Sequence, residues 1–236
     1  MTTTPGARPA EEAPLAALAG LFASAAAERY LGEEITQAHH MLQAAALAER
    51  SGAAPALVAA ALLHDIGHVL PGAGDERHSD DGAALLGEWF GPEVTEPVRL
   101  HVAAKRYLCA VEPSYHETLS SESLRTLAYQ GGPMGLPEVR AYEAEPYGRD
   151  AVDVRRWDDR AKDPRARVHG FDHYRPLLAG LVRPGGSTDS VRASAGLSAA
   201  TDSGRPDQPG GRGAHRPAGE VPRLSERGGE SVRHPV

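Results

Sequence analysis

The sequence predicts an all-α domain followed by a disordered tail, and two observations carry that prediction. Apolar residues recur at helical spacing in segment after segment up to about residue 182, and no alternating run or hairpin dipeptide lies between them. From Pro184 onward the chain is Gly, Pro, Ser and Arg with few apolar groups, and no aromatic follows Tyr174. Such a stretch cannot bury enough surface to offset its ordering entropy. The expected organisation is a disordered leader over 1–10, a helical domain over 11–183, and a disordered tail over 184–236.

In chain order, the first expected helix is Glu11 to Arg29, with Leu15, Leu18, Leu21 and Phe22 near helical spacing. Tyr30-Leu31-Gly32-Glu33-Glu34 breaks it, and Thr36 can cap a second helix carrying Gln37, His40 and Leu47 to about Ser51. Pro55 suits the first turn of a third, where its missing N–H has no partner to lose. Residues 56–63 are apolar all round, so this helix is expected to be buried on every side. Continued to Val69, it places Leu57, Ala61, His64, Asp65 and His68 on one stripe. After a loop at Pro71–Asp75 come His78 to Phe90 and Glu93 to Ala110, the latter with His101 and Lys105 one turn apart. Ser114 to Tyr129 is stopped by Gln130-Gly131-Gly132-Pro133. Leu136 to Glu145, Gly148 to Lys162 and Phe171 to Val182 complete the set; Ala151, Val154, Trp157 and Asp158 share one side of the middle one.

The formal charge is -7, and residues 183–236 hold eight Arg against six acids, so the acidic excess lies in the domain. That balance argues against a nucleic-acid or membrane-surface footprint. With one cysteine, Cys109, no internal disulfide can form, and no run of about 18 apolar residues is present. The chain therefore reads as soluble and cytoplasmic, and Cys109 as a small buried filler. Lys105 and Lys162 are the only lysines among 25 basic residues. Where Arg is the default base, each Lys flags a role that needs a compact ammonium. No Gly-x-Ser-x-Gly or P-loop motif occurs.

His64-Asp65 at the end of a buried helix points to a metal. Two such groups buried without partners cost several kcal/mol, a penalty a cation offsets. A lone histidine would more simply be satisfied by a backbone carbonyl, but here five helical segments each offer a donor. They are His40, His64 with Asp65, His78, His101 and Asp158. Four imidazoles and two carboxylates suit one crowded ion or, better, two ions bridged by a carboxylate. His169, His173, His215 and His234 lie in or near the less informative end and are not expected to be ligands.

The order His40…His64-Asp65…Asp158 resembles the HD-domain superfamily, an all-helical fold of metal-dependent phosphohydrolases. His78 and His101 resemble the added histidines of its dinuclear members. More narrowly, residues 12–182 resemble the HD-type mixed-valent di-iron oxygenases, relatives of myo-inositol oxygenase, that cleave the carbon–phosphorus bond of 2-amino-1-hydroxyethylphosphonate. Four motifs carry this likeness: Tyr30-Leu31-Gly32-Glu33, His101-Val102-Ala103-Ala104-Lys105, Leu119 to Leu124 with Gln130-Gly131-Gly132, and Arg155 to Asp163. The loop between His68 and His78 is shorter than the family's.

The resemblance implies that His40, His64, Asp65 and Asp158 hold one iron and that Asp65, His78 and His101 hold the other, in an Fe(II)/Fe(III) pair with dioxygen as co-substrate. It implies that Tyr30 occupies an iron position until substrate arrives, that Glu33 meets the substrate's amino group, and that Lys105, Ser123 and His68 hold the phosphonate. Glu34, His39 and Asp159 are the adjacent competitors, and motif spacing favours Glu33, His40 and Asp158. The substrate is then a small organophosphonate, giving phosphate with glycine, or with glycine betaine from a trimethylammonio analogue. Two other readings share the ligands: a dinuclear phosphohydrolase or phosphodiesterase, and a non-catalytic ligand-binding module. No protein partner is indicated.

Overall fold

Pro55-Ala-Leu-Val-Ala-Ala-Ala-Leu-Leu63 forms α3, and every residue from Val58 to Leu63 is buried. A helix without a polar face is stable only when neighbours cover it on all sides. Here α2 (Gln37–Arg50), α5 (Pro92–Val111), α9 (Gly148–Arg160) and α10 (Phe171–Ala179) do so. In this computed structural model, residues 9–30, 34–70 and 76–184 are described. Among them the structure is entirely helical, with ten α-helices, one 3-10 turn and no strand. The tail expected over 184–236 falls outside the described residues except for Pro184, as do the Pro71–Asp75 loop and residues 31–33.

Helix α1 runs Pro9–Phe22 and ends seven residues before Arg29 in a series of turns; of the leader expected over 1–10, residues 1–8 lie outside the described residues. Thr36 caps α2, its Oγ1 accepting a hydrogen bond from His39 N at 3.2 Å. Helix α4 is His78–Leu86 and packs on α5, which packs in turn on α9. The segment expected as one helix over Ser114–Tyr129 is two, α6 (Tyr115–Thr118) and α7 (Ser121–Tyr129). The break has a local cause. Ser120 is extended, and its Oγ accepts from Ser123 N at 3.2 Å, which caps α7 and ends α6. Helix α8 is Leu136–Glu143. Between α7 and α8, Gly131 and Gly132 take φ of 95° and 70°, the left-handed region glycine enters without penalty. Cys109, expected to be buried, is only partly so, packing against a small cluster of Leu108, Tyr115, Leu119 and Leu127 near the C-terminal end of α5.

The most consequential departure is at the end of α3. The expected helix to Val69 stops at Leu63, and the chain passes through His64 and Asp65 into a 3-10 turn, Ile66–Val69, with His68 N bonded to Asp65 O at 3.0 Å. Gly67 permits this. A Cβ there would lie 1.9 Å from His78 O, so the first turn of α4 rests directly on the glycine backbone. Gly67→Ala should therefore push α4 away and lower stability by about 1–3 kcal/mol. Thermal unfolding measures it, and an unchanged midpoint would contradict the contact.

Candidate metal centre

The tight turn places Asp65 between two pairs of histidines. Its Oδ2 lies 3.5 Å from His40 Nε2 on α2 and 3.5 Å from His64 Nε2. Its Oδ1 lies 3.5 Å from His78 Nε2 on α4 and 3.4 Å from His101 Nε2 on α5. Within each pair the nitrogens converge, His40 and His64 at 3.1 Å and His78 and His101 at 3.2 Å. Asp158 on α9 joins the first pair, with Oδ1 3.2 Å from His40 Nε2 and Oδ2 3.9 Å from His64 Nε2. The six expected ligands thus come together as two groups that share Asp65.

Their hydrogen bonds fit them to hold metal. His40 Nδ1 pairs with Ala161 O at 2.9 Å, His64 Nδ1 with Ala61 O at 2.9 Å, and His101 Nδ1 with Val98 O at 2.7 Å. A neutral imidazole that donates through Nδ1 offers a lone pair at Nε2. Two lone pairs about 3 Å apart repel unless a cation lies between them, and that spacing suits neighbouring ligands with bonds of about 2.1 Å. Burial holds the His64 imidazole below its ordinary pKa against Asp65 and Asp158. It pulls His40 the same way, but Asp158 and Asp65 outweigh it and leave His40 raised. Burial opposes ionisation of Asp65, yet the imidazoles of His64, His101, His68 and His78 hold it well below the usual carboxylate range. Asp158 is likewise held low against burial, first by Arg155, then by His40 and His64.

His68 adjoins the second group, and with Asp65 and His78 it forms a set of donors close enough to hold an ion. Its ring stacks on His78 at 3.9 Å between centroids, and its Nε2 is 4.0 Å from Asp65 Oδ1. It lines, with Lys105 and Ser123, a cavity of about 370 Å³ that opens onto both groups. Lys105 is almost fully buried, and its Nζ donates to Thr126 Oγ1 at 2.9 Å and Ser123 O at 3.5 Å. Burial and the nearby Arg155 guanidinium depress its pKa to about 8.

Tyr30 is not brought to the centre: it is 64% exposed and absent from the cavity wall. Next to it, Gln37 N bonds Arg29 O at 3.0 Å and Arg29 Nη2 donates to His68 O at 2.9 Å. Glu33 lies outside the described residues. The competitors face elsewhere. His39 Nε2 meets Ala166 O, and Asp159 accepts from Tyr115 and Arg155. His173 pairs with Glu49 at the surface and stacks on His169.

Among the cavity residues to which the sequence assigned no role, Gln37, Arg155 and Lys162 contact the expected ligands or Ser123 directly. Gln37 Nε2 donates to Asp65 Oδ2 at 2.7 Å; its only signal was its place one turn before His40. Arg155 is buried, with Nη1 2.8 Å from Asp158 Oδ2, Nη2 donating to Ser123 Oγ at 3.3 Å, and Nε to Tyr115 OH at 3.1 Å. Lys162, flagged as a rare lysine but given no role, donates to Ser120 Oγ at 3.0 Å and Ser123 Oγ at 3.2 Å.

Fold and donors together define an all-helical metalloprotein with a dinuclear site. The family description "HD domain" matches residues 38–163. Among similar proteins, the [1-hydroxy-2-(trimethylamino)ethyl]phosphonate dioxygenase (glycine-betaine-forming) of Leisingera caerulea is 39% identical over 173 residues, covering 70% of this chain and 88% of that protein. The hydroxymethylphosphonate dioxygenase of Gimesia maris is 43% identical over 156 residues, covering 62% and 78%. The chain belongs to the HD-domain family, among its phosphonate oxygenases.

The shared carboxylate sets an expectation for metal content. Asp65→Ala should lose both ions on reconstitution with iron, whereas His68→Ala should retain both. Iron per chain measures this, and equal losses would show that His68 is a ligand.

Proposed function

We propose that this protein is a dioxygenase that cleaves the carbon–phosphorus bond of a small 1-hydroxyphosphonate in the cytoplasm. The observation that carries the reading is one cavity with two unlike walls. On one side are five of the six metal donors, His40, Asp65, His78, His101 and Asp158, and on the other the cationic and hydroxyl groups of Lys105, Ser123, Thr126, Arg155 and Lys162. The similarity to two phosphonate dioxygenases supports it.

A mixed-valent Fe(II)/Fe(III) pair, held by His40, His64, Asp65 and Asp158 on one side and Asp65, His78 and His101 on the other, would supply the dioxygen chemistry. The protein's own groups bind and orient. A phosphonate dianion restores the charge balance around Lys105, whose partners are neutral oxygens, and such charge-assisted contacts are among the stronger hydrogen bonds. His68, one turn from His64, reaches the same space, so it can meet a phosphonate oxygen while the C1 hydroxyl faces the metal donors. Glu33 is assigned to the substrate's ammonium by family likeness. The reaction balances without an external reductant: C1 is oxidised from alcohol to carboxylate, one oxygen atom joining it and the other joining phosphorus.

Full-length protein reconstituted with Fe(II) and given the amino, trimethylammonio and hydroxymethyl phosphonates should consume oxygen and release phosphate with at least one. Phosphate release without oxygen, in the presence of manganese or magnesium, would instead establish a phosphohydrolase. Anion binding with neither turnover would establish a non-catalytic module.

Lys105 predicts the pH dependence. Its depressed pKa means that the ammonium is present below about pH 8 and lost as pH rises through that value. The ratio kcat/KM should therefore fall on the alkaline side near pH 8. Lys105→Arg, charged throughout, should remove that limb; a limb unchanged in Lys105→Arg would assign it to another group.

A further inference from the structure

We propose that Gln37 is a positioning residue for the metal centre: its side-chain amide fixes the Asp65 carboxylate in the orientation that offers one oxygen to each group of histidines. The proposal rests on the dinuclear reading of the donors and not on the phosphonate chemistry.

The first argument is the carboxylate itself. An aspartate shared by two ions must keep its oxygens pointing apart, yet its terminal torsion is broad, and rotation there turns both oxygens toward one ion. A partner outside the ligand set has to hold that torsion. His40 and His64 cannot do so. Their Nδ1 atoms are paired with Ala161 O and Ala61 O, each at 2.9 Å, so their Nε2 atoms face Asp65 as lone pairs. Gln37 can: its Nε2 donates to Asp65 Oδ2 at 2.7 Å, a short bond of the charge-assisted kind. The bond falls on the oxygen that faces His40 and His64, and it leaves Oδ1 to His78 and His101. A carboxylate oxygen has two lone pairs, so Oδ2 accepts the amide and still faces an ion.

The second argument is that Gln37 is itself held. It is the first residue of α2 and is buried, 5% exposed, in the cavity wall. Its backbone N donates to Arg29 O at 3.0 Å, and Arg29 Nη2 donates in turn to His68 O at 2.9 Å. The 3-10 turn is thereby tied twice to one corner of the chain, at Asp65 by the Gln37 side chain and at His68 by Arg29. A residue that only filled space at the start of α2 would need no bond to the turn, and methionine would serve there equally well.

Anaerobic titration of the full-length apoprotein with Co(II), followed by visible absorption and by ions bound per chain, separates these roles. The wild-type chain should take two ions. Gln37→Met keeps the size of the side chain and removes the amide. Its first ion should bind with near wild-type affinity, since His40, His64 and Asp158 remain with whichever Asp65 oxygen turns to them. Its second should bind about 10- to 100-fold more weakly, and the Co(II) absorption should change as Asp65 ceases to bridge. Gln37→Asn, an amide one carbon too short, should behave in the same way and carries the test if Gln37→Met does not fold. Thr36→Ala removes the α2 cap without touching Asp65; it should lower the thermal midpoint and leave both affinities unchanged.

Wild-type affinities in Gln37→Met, an equal loss of both ions, or a loss matched by Thr36→Ala would overturn the proposal. A wild-type chain that binds one ion would overturn the dinuclear reading itself, a result obtained before any variant is compared. Turnover does not enter, so a chain that holds two ions through Gln37 but consumes no oxygen would overturn the oxygenase reading and leave the Gln37 assignment standing.

Discussion

The Asp65 carboxylate is where the structure's two halves meet. One oxygen faces histidines delivered by α2 and by the end of α3; the other faces histidines delivered by α4 and α5. Neither half is a complete dinuclear site without that carboxylate. Its position depends on the chain leaving α3 at Leu63 and tightening into a 3-10 turn, a geometry that often marks functional segments because i to i+3 bonding is poorer than α-helical bonding. The cost is recovered where Gly67 lets α4 sit on the turn and bring His78 inward.

The turn alone does not bring the rings together; the helices must also approach closely. Ala44, Ala45 and Ala48 on α2 and Ala59, Ala60 and Ala61 on α3 are buried in one cluster, and α2 packs on α3. Small side chains at a helix contact shorten the interaxial distance. His40 on α2 and His64 at the end of α3 then converge at their Nε2 atoms. Larger residues lie farther along, with Trp89, Phe90, Tyr174 and Leu178 filling the volume around the alanine contact. The alanine content of the sequence is therefore a packing requirement of the site as well as a helix propensity.

The sequence made the fold and the metal donors legible for the same reason: both are written as spacing. Helical periodicity located α2, α3, α5, α9 and α10, and the recurrence of His and Asp within helices pointed to a shared centre. What periodicity cannot show is where a helix yields to a competing local bond. The break at Leu63 depends on a glycine–carbonyl contact with α4, and the break at Leu119 on a serine cap, so both segments read as continuous. Arg155 was hidden differently. In an Arg-rich chain its type carries no signal, and its role exists only because α9 packs on α5 and faces α7 residues distant in sequence. Lys162 was visible as a rarity, but its target, a serine 39 positions away, was not. Tyr30 shows the converse: a motif can match a family while its side chain lies outside the cavity.

The electrostatics of the cavity also correct what net charge suggests. A formal charge of -7 would, by itself, argue for repelling a dianion. Exposed charges are screened over about 8 Å at physiological salt, so a bound ligand feels its lining far more than the distant surface. On that lining, Arg155 is held between Asp158 and Asp159, which locks its orientation and leaves its hydrogen-bonding edge on Ser123. Lys105 and Lys162 add two ammonium groups beside it. Among the six donors, Asp65 and Asp158 are the two carboxylates, so two metal ions held by that set would carry a surplus of positive charge. A small dianion bearing a neutral hydroxyl answers both walls at once, its anionic oxygens on the cations and its hydroxyl on the metal side. A large polyanion such as nucleic acid would satisfy the first and be repelled by the acidic exterior.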